Sequence, residues 1–232
     1  MSAGDGSKTI DEMKQKAADA ALALVRSDTI LGLGSGSTAA LFIRSLGQAL
    51  ANGTLTNITG LPTSRASADL AKEAGIPLTD FATAERCALT IDGADEIDDD
   101  LRLIKGLGGA LLREKLVAQN SDVLVIIADD SKRVTKLGTN APLPVEVTPF
   151  GHAATRRFLA GIGDPKLRGG DADPYVTDNG NLIYDVHFAN GIADATPLAA
   201  ALSARAGIVE HGLFLGLADK ALVATAEGVL EL

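Results

Sequence analysis

The stretch Thr29-Ile30-Leu31-Gly32-Leu33-Gly34-Ser35-Gly36-Ser37-Thr38-Ala39-Ala40 decides the fold. A β-branched and leucine run ends in alternating glycines and hydroxyl residues, and helical spacing follows over residues 38–50. A short apolar strand turning straight into a helix is the repeating unit of a parallel sheet, and here it recurs. Residues 58–61, 87–91 and 123–128 read as strands. Residues 65–74, closed by Gly75, and residues 109–119 read as helices, and Met13, Ala17, Ala20, Ala21, Leu24 and Val25 set an amphipathic helix over 11–26. The alternation predicts an α/β fold in which a parallel sheet is covered on both faces and ligands bind at the carboxyl ends of its strands.

Beyond Lys132 the texture changes. Pro142, Pro144 and Pro149 bracket Leu143, Val145 and Val147, and a helix is expected over 152–160. Residues 175–177 and 182–186 flank Asp178-Asn179-Gly180, where Asn-Gly favours the positive φ angles of a two-residue hairpin turn. A helix over 197–205 and a strand over 208–215 complete a small α+β domain, before short strands at 221–226 and 229–232. The expected division is residues 1–132 with 215–232 as the sheet domain and 133–214 as the smaller one.

Composition narrows the function. The 232 residues carry 21 Lys and Arg against 30 Asp and Glu, a net charge of −9. With a mean hydropathy of +0.18 and a pI near 4.8, this is neither a disordered chain nor one built around nucleic acid, which needs a clustered basic surface. No run approaches the roughly 20 apolar residues of a membrane span. Residues 1–16 carry Asp5, Lys8, Asp11, Glu12, Lys14 and Lys16, which argues against a secretory leader, and Cys87 is the only cysteine, so a reducing, cytoplasmic setting is expected.

Three stretches carry chemistry. In residues 32–40 the glycines bring backbone close to a ligand, the helix start favours an anion, and Ser35, Ser37 and Thr38 add hydroxyls. Gly34, Gly36 and Ala39 fit a dinucleotide fingerprint, but no acid follows about 20 residues on, and no Lys precedes Ser37 or Thr38 as a Walker A loop requires. The bland alternative is a tight connection with a hydroxyl N-cap. The second stretch, Asp92-Gly93-Ala94-Asp95-Glu96-Ile97-Asp98-Asp99-Asp100, begins where a strand ends. Asp98, Asp99 and Asp100 read as a solvated turn; Asp92 and Asp95 read as groups holding sugar hydroxyls in preference to a divalent metal, whose calcium-loop spacing is missing. The third is Lys105-Gly106-Leu107-Gly108-Gly109-Ala110-Leu111-Leu112-Arg113-Glu114-Lys115. Here a glycine turn enters a helix with a cation before it and Glu114 about one turn in, where desolvation would suit a general base; the alternative is an ordinary surface Glu and Lys. The three strand ends are expected to meet at one crevice. His152, His187 and His211 read as structural or surface residues, Cys87 as inert core, and Thr63, Ser64 and Ser67 as crevice lining or helix caps. Lys132, at a further strand end, is expected to reach a phosphate at the same edge.

Taken together, residues 32–40, 92–97, 105–115, 128–132, 143–147 and 176–181 resemble ribose-5-phosphate isomerase of the A type, in family order over most of the chain. The resemblance implies a Rossmann-like domain with a small ferredoxin-like α+β domain, no cofactor and no metal, a homodimer, and interconversion of D-ribose 5-phosphate and D-ribulose 5-phosphate in the pentose phosphate pathway. It makes Glu114 the proton-transferring base. It makes Ser35, Gly36, Ser37, Thr38, Asp92, Gly93, Ala94, Asp95, Lys105, Gly106, Leu107, Gly108 and Lys132 the substrate-binding positions. Leu107 and Ser67 depart from the glycine and threonine frequent among relatives, and a leucine at 107 restricts positive φ, so the turn must accept a side chain. The implied chemistry moves a proton from C2 to C1 through a cis-enediolate. One carboxylate serves both transfers, donors near residues 106–109 or Thr38 with the Lys105 ammonium stabilise the oxyanion, and Asp92 and Lys105 shuttle protons in ring opening. Phosphate is expected on Ser37, Lys132 and Lys14. Two rival readings are a non-catalytic sugar-phosphate effector domain, which would need a basic helix-turn-helix, and a coenzyme A transferase with Glu114 as nucleophile.

Overall fold

A computed structural model describes the backbone of residues 5–232 and the side chains of residues 10–232. Asp5 and Lys8, counted in the mixed-charge N-terminal stretch, have side chains outside that range. In chain order the elements are α1 (Asp5–Leu22), β1 (Thr29–Leu33), α2 (Gly36–Ala51), β2 (Ile58–Pro62), α3 (Arg65–Glu73), β3 (Leu89–Asp92), β4 (Glu96–Ile97), β5 (Leu103–Ile104) and α4 (Leu111–Gln119). They continue with β6 (Leu124–Asp129), β7 (Leu143–Val147), α5 (His152–Leu159), β8 (Asp164–Leu167), β9 (Leu182–His187), α6 (Ala195–Ser203), β10 (Ile208–His211), β11 (Leu213–Phe214), β12 (Lys220–Ala224) and β13 (Val229–Glu231). The contacts divide the chain into a first unit, comprising the chain up to Gly93, Leu116–Lys132 and Leu217–Leu232, and a second, Ala94–Lys115 with Arg133–Gly216. Residues 94–115, expected with the sheet domain, therefore cluster with the second unit.

The first unit is built on a six-stranded sheet in the order β13-β12-β6-β3-β1-β2. All neighbours pair in parallel except β12 with β13. The parallel strands run in the order second, first, third, fourth, fifth, so the winding reverses between β1 and β3. In open α/β sheets this reversal opens the carboxyl ends of those two strands to a ligand. Strand β6 is buried at every position, as a strand covered on both faces must be. Ala17, Ala18 and Ala21 of α1 and Phe42, Ile43 and Leu46 of α2 pack with Leu31, Leu33, Ile91, Val125 and Ile127 in one apolar core. The small alanine face of α1 brings that helix close to its neighbours.

The second unit contains a βαββαβ run, β7-α5-β8-β9-α6-β10, folded into the antiparallel order β10-β7-β9-β8, the ferredoxin-like arrangement. Leu143, Val145 and Val147 of β7 and Leu182, Tyr184 and Val186 of β9 alternate onto one face, against Leu159, Ala195 and Leu202 from the helices. Two features differ from expectation. Strand β9 pairs with β7 on one side and β8 on the other, whereas residues 175–177 contribute a single bridge, Val176 with Leu182. Strand β8 holds Pro165, which the ladder tolerates because β8 is an edge. The strand expected over 208–215 is split at Gly212, whose N–H donates to the Pro144 carbonyl and whose own carbonyl accepts from Lys105 N–H. A separate three-stranded sheet, β11-β5-β4, holds that region together.

His211 ends β10 deep in this unit, with Nε2 3.2 Å from Ser203 Oγ and Nδ1 accepting from Leu213 N–H. Burial, reinforced by the Lys115 ammonium and opposed by Glu210, pushes its pKa down to about 4. The folded state thus refuses a proton that the unfolded chain binds below about pH 6.5. The stability this contributes is complete above that value and is lost as pH falls toward about 4. The urea midpoint should drop between about pH 7 and pH 4.5, and His211→Gln should flatten that segment of the curve; an unchanged slope in the variant would contradict the assignment.

Candidate active site

In the first unit the turn at residues 34–38, Asp92 and Gly93 meet where the sheet reverses. Strand β1 ends at Leu33 and β3 at Asp92, side by side. Asp92, only 1% exposed, accepts through Oδ1 from the N–H groups of Ser35 at 3.0 Å and Gly93 at 2.8 Å. Gly34 makes this possible, because a Cβ there would lie 2.3 Å from Asp92 Oδ1. Its glycine is therefore demanded by the neighbouring strand, while Gly36, at φ +88°, is demanded by the turn itself. The hydroxyl of Ser35 differs from the expected ligand donor: it bonds Thr63 Oγ1 at 2.7 Å and Ser64 Oγ at 2.8 Å. Ser35 thus occupies the N-cap position of α2 without capping it by its side chain, and the first turn of α2 has no acidic residue. Its N–H groups and dipole remain favourable to an anion. Ser37 is exposed and Thr38 buried beside this turn. Ser64 and Ser67 form a reciprocal capping box on α3, the structural alternative for that pair. Lys132 is half-buried in a 3₁₀ turn after β6, which Asp129 caps through Ser131. Lys14 lies on α1, 3.9 Å from Asp11.

In the second unit the remaining candidates surround one buried ion pair. Lys105 Nζ lies 3.4 Å from Glu114 Oε2, and these residues are 2% and 4% exposed. Neither is the surface side chain that the local sequence alone suggests. Lys105 follows β5, and its backbone is pinned to Gly212, where a Cβ would come 2.2 Å from the Lys105 carbonyl oxygen. Phe214, fully buried, has Lys105 Nζ 5.4 Å from its ring centroid and Lys115 Nζ at 4.8 Å, close enough for cation–π attraction to both. Asp95 accepts from Leu107 N–H at 2.9 Å, so it braces the glycine turn. Gly106 and Gly109 take positive φ there whereas Leu107 does not, which is how the turn accepts a leucine; that side chain and Gly108 are exposed.

Several supporting residues were not legible as such. Glu96, fully buried, accepts from the N–H groups of Gly138, Asn140 and Ala141. Asp98 corrects the reading of a solvated acidic turn: it is buried and accepts from Asp100 N–H, Arg102 N–H and Arg102 Nε, while Asp99 and Asp100 are exposed as expected. Arg168 pairs with Asp185 and donates Nη1 to the carbonyls of Gly106 and Leu107, which ties down that turn. The partners of Glu96 and the carbonyls that Arg168 meets lie tens of positions away, so only the packed chain reveals them, whereas Asp98 is satisfied by its own turn. Cys87 is buried, and burial pushes its thiol up, in keeping with inert core.

The model of the ribose 5-phosphate isomerase A (phosphoriboisomerase A) family matches residues 59–228. A ribose-5-phosphate isomerase A from Roseiflexus castenholzii is 51% identical over 221 residues, 94% of each chain. The chain belongs to the ribose 5-phosphate isomerase A family. One from Caulobacter vibrioides is 51% identical over 229 residues, 96% of this chain and 98% of the relative. Among solved structures, ribose 5-phosphate isomerase A from Methanocaldococcus jannaschii aligns with a TM-score of 0.90 at 41% identity, covering 96% of this chain and 98% of that one. A D-ribose-5-phosphate isomerase in complex with phospho-erythronic acid aligns at 0.92 and 38% identity with the same coverage. The α/β fold with a parallel-dominated sheet and a smaller antiparallel unit is therefore that of this isomerase family.

The contact between Gly34 and Asp92 generates a prediction. Gly34→Ala forces a methyl against the Asp92 carboxylate and should cost about 1–3 kcal/mol of stability by overpacking. Chemical denaturation of the variant should show this loss together with a fall in kcat/KM; wild-type stability would contradict the close approach.

Proposed function

We propose that this chain interconverts D-ribose 5-phosphate and D-ribulose 5-phosphate with Glu114 as the proton-transferring base. The observation that carries the reading is the Lys105–Glu114 pair: a carboxylate on the first turns of α4, almost wholly removed from solvent, with an ammonium 3.4 Å from Oε2. The family match supports the reaction, and the pair supports the roles. A carboxylate removes the proton from C2 of the open-chain aldose, the electron pair moves onto the carbonyl oxygen at C1, and a cis-enediolate forms. Transfer of the O2 proton to O1 and return of the C2 proton to C1 by the same carboxylate give the ketose, with no net gain or loss of atoms. Lys105 supplies positive charge where the oxyanion develops, in a setting of low dielectric where such a charge acts strongly.

The same proposal gives Asp92 and Asp95 the sugar hydroxyls and assigns Asp92 and Lys105 to ring opening. It gives the turns at 35–38, 93–94 and 106–108 the remaining contacts. Phosphate is assigned to Ser37, Lys132 and Lys14, with the uncapped start of α2 as support. The family likeness also supports a cytoplasmic homodimer that works without a cofactor, and the net charge of −9 speaks against nucleic acid as a partner. No helix among the described residues is long and apolar enough to cross a membrane.

Glu114→Gln keeps the shape of the side chain and removes its basicity. Turnover of ribose 5-phosphate should fall at least about a thousandfold in kcat while the variant still binds phospho-erythronic acid, since base removal acts on the transition state. Near-normal turnover would remove Glu114 from the role. Wild-type enzyme should retain full activity after exhaustive chelation, and activity restored only by added metal would contradict the metal-free mechanism.

A further inference from the structure

Glu114 stands between two cations in sequence, and each is tied to a different part of the second unit. Successive residues of an α-helix point about 100° apart, so anchors on the residues before and after Glu114 fix the rotation of its turn. Lys115 is held on one side: Nζ reaches Glu210 Oε1 at 2.6 Å and the His211 carbonyl at 2.7 Å. Arg113 is held on the other: Nε donates to Asn179 Oδ1 at 2.8 Å and Nη2 to the Asp178 carbonyl at 3.1 Å, with Nη1 3.6 Å from Asp178 Oδ2.

The turn that receives Arg113 is itself anchored on a buried charge. Glu146 lies on β7 with its side chain on the face opposite Val145 and Val147, and it is fully buried. Its Oε1 accepts from Thr177 Oγ1 at 2.9 Å, Asn179 Nδ2 at 3.0 Å and Asn181 Nδ2 at 2.9 Å. Its Oε2 is buried with no hydrogen-bond partner among the described residues. Burying a carboxylate is costly, and replacing such a group by apolar packing is often neutral or stabilising, so the fold alone gives little reason to retain it. The amide of Asn179 explains its use. With Nδ2 on the Glu146 carboxylate and Oδ1 on the Arg113 guanidinium, that amide has one orientation and links two opposite charges.

We propose that Arg113, held through Asn179 by buried Glu146, is a positioning residue that aims Glu114 at Lys105 and the reacting carbons. The inference rests on Glu114 being the base. A displacement of about 1 Å in a reacting group is enough for losses near a hundredfold, so positioning should appear in the rate. Arg113→Met should lower kcat about ten- to a hundredfold while KM for ribose 5-phosphate changes less than about threefold. Asn179→Ala, which cuts the same relay at the turn, should give the same split, and the double variant should be no slower than the worse single one. Arg113→Lys should remain slow, because a point charge cannot replace the planar fork. Wild-type kcat in Arg113→Met, or losses that multiply in the double variant, would overturn the inference. If Arg113→Met does not fold, Arg113→Lys decides, and a wild-type kcat there would overturn it equally. Glu114→Gln assayed alongside separates the two readings: normal turnover in that variant defeats the base assignment itself. A dead Glu114→Gln beside a fully active Arg113→Met defeats the positioning role alone.

Discussion

A carboxylate and an ammonium taken out of water together, Glu114 and Lys105, impose the main constraint on the second unit. Neither charge is tolerable there alone, so the chain around them is arranged to keep both in place. Lys105 is fixed through its backbone to Gly212, and its stem and ammonium lie beside Phe214. Glu114 rides on a helix whose flanking cations are tied down on two sides. The glycine turn between them is braced by Asp95 from one direction and by Arg168 from the other. A pair with this much support is built for a defined geometry.

The first unit obeys a different constraint, the reversal of winding between β1 and β3. That topology brings two strand ends side by side, and the sequence furnishes them with glycines, hydroxyls and Asp92. Gly34 admits the carboxylate, Ser35 and Gly93 supply N–H groups to it, and Gly36 turns the chain into α2. The result is a buried acid held by backbone donors next to a helix start that favours anions. Sugar hydroxyls and phosphate are the chemistry such a pair of features suits.

Much of this was legible in the sequence because buried parallel strands are short, apolar and closed by glycine. β1 was expected over the residues it occupies, and α2, α3, α4 and β6 lie within a few residues of their expected bounds. What escaped was set by distant partners. β4 and β5 are two residues each; they pair with one another, and β11 completes their sheet by pairing with β5 from more than a hundred positions away. β8 was hidden by Pro165, which only its edge position permits. The residue types at 105 and 114 are legible as a cation and an acid, but their burial depends on Gly212 and Phe214, which no local pattern connects to them. Glu146 looks like one polar residue in an apolar strand until the 177–181 turn folds over it. A turn stands where Asn-Gly was expected to make one, but only Gly180 takes positive φ and Asn179 does not, so it is not the expected two-residue hairpin turn, and its side chains serve Glu146 and Arg113.

The central claim is that one carboxylate, Glu114, carries hydrogen between adjacent carbons of the sugar. The most direct measurement is NMR of ribose 5-phosphate incubated in deuterium oxide, following isotope at C2 of the aldose and C1 of the ketose. The account predicts that wild-type protein introduces deuterium at C1 with a single stereochemistry, and that Glu114→Gln introduces none on the same timescale. Deuterium entering at the wild-type rate in that variant would contradict it.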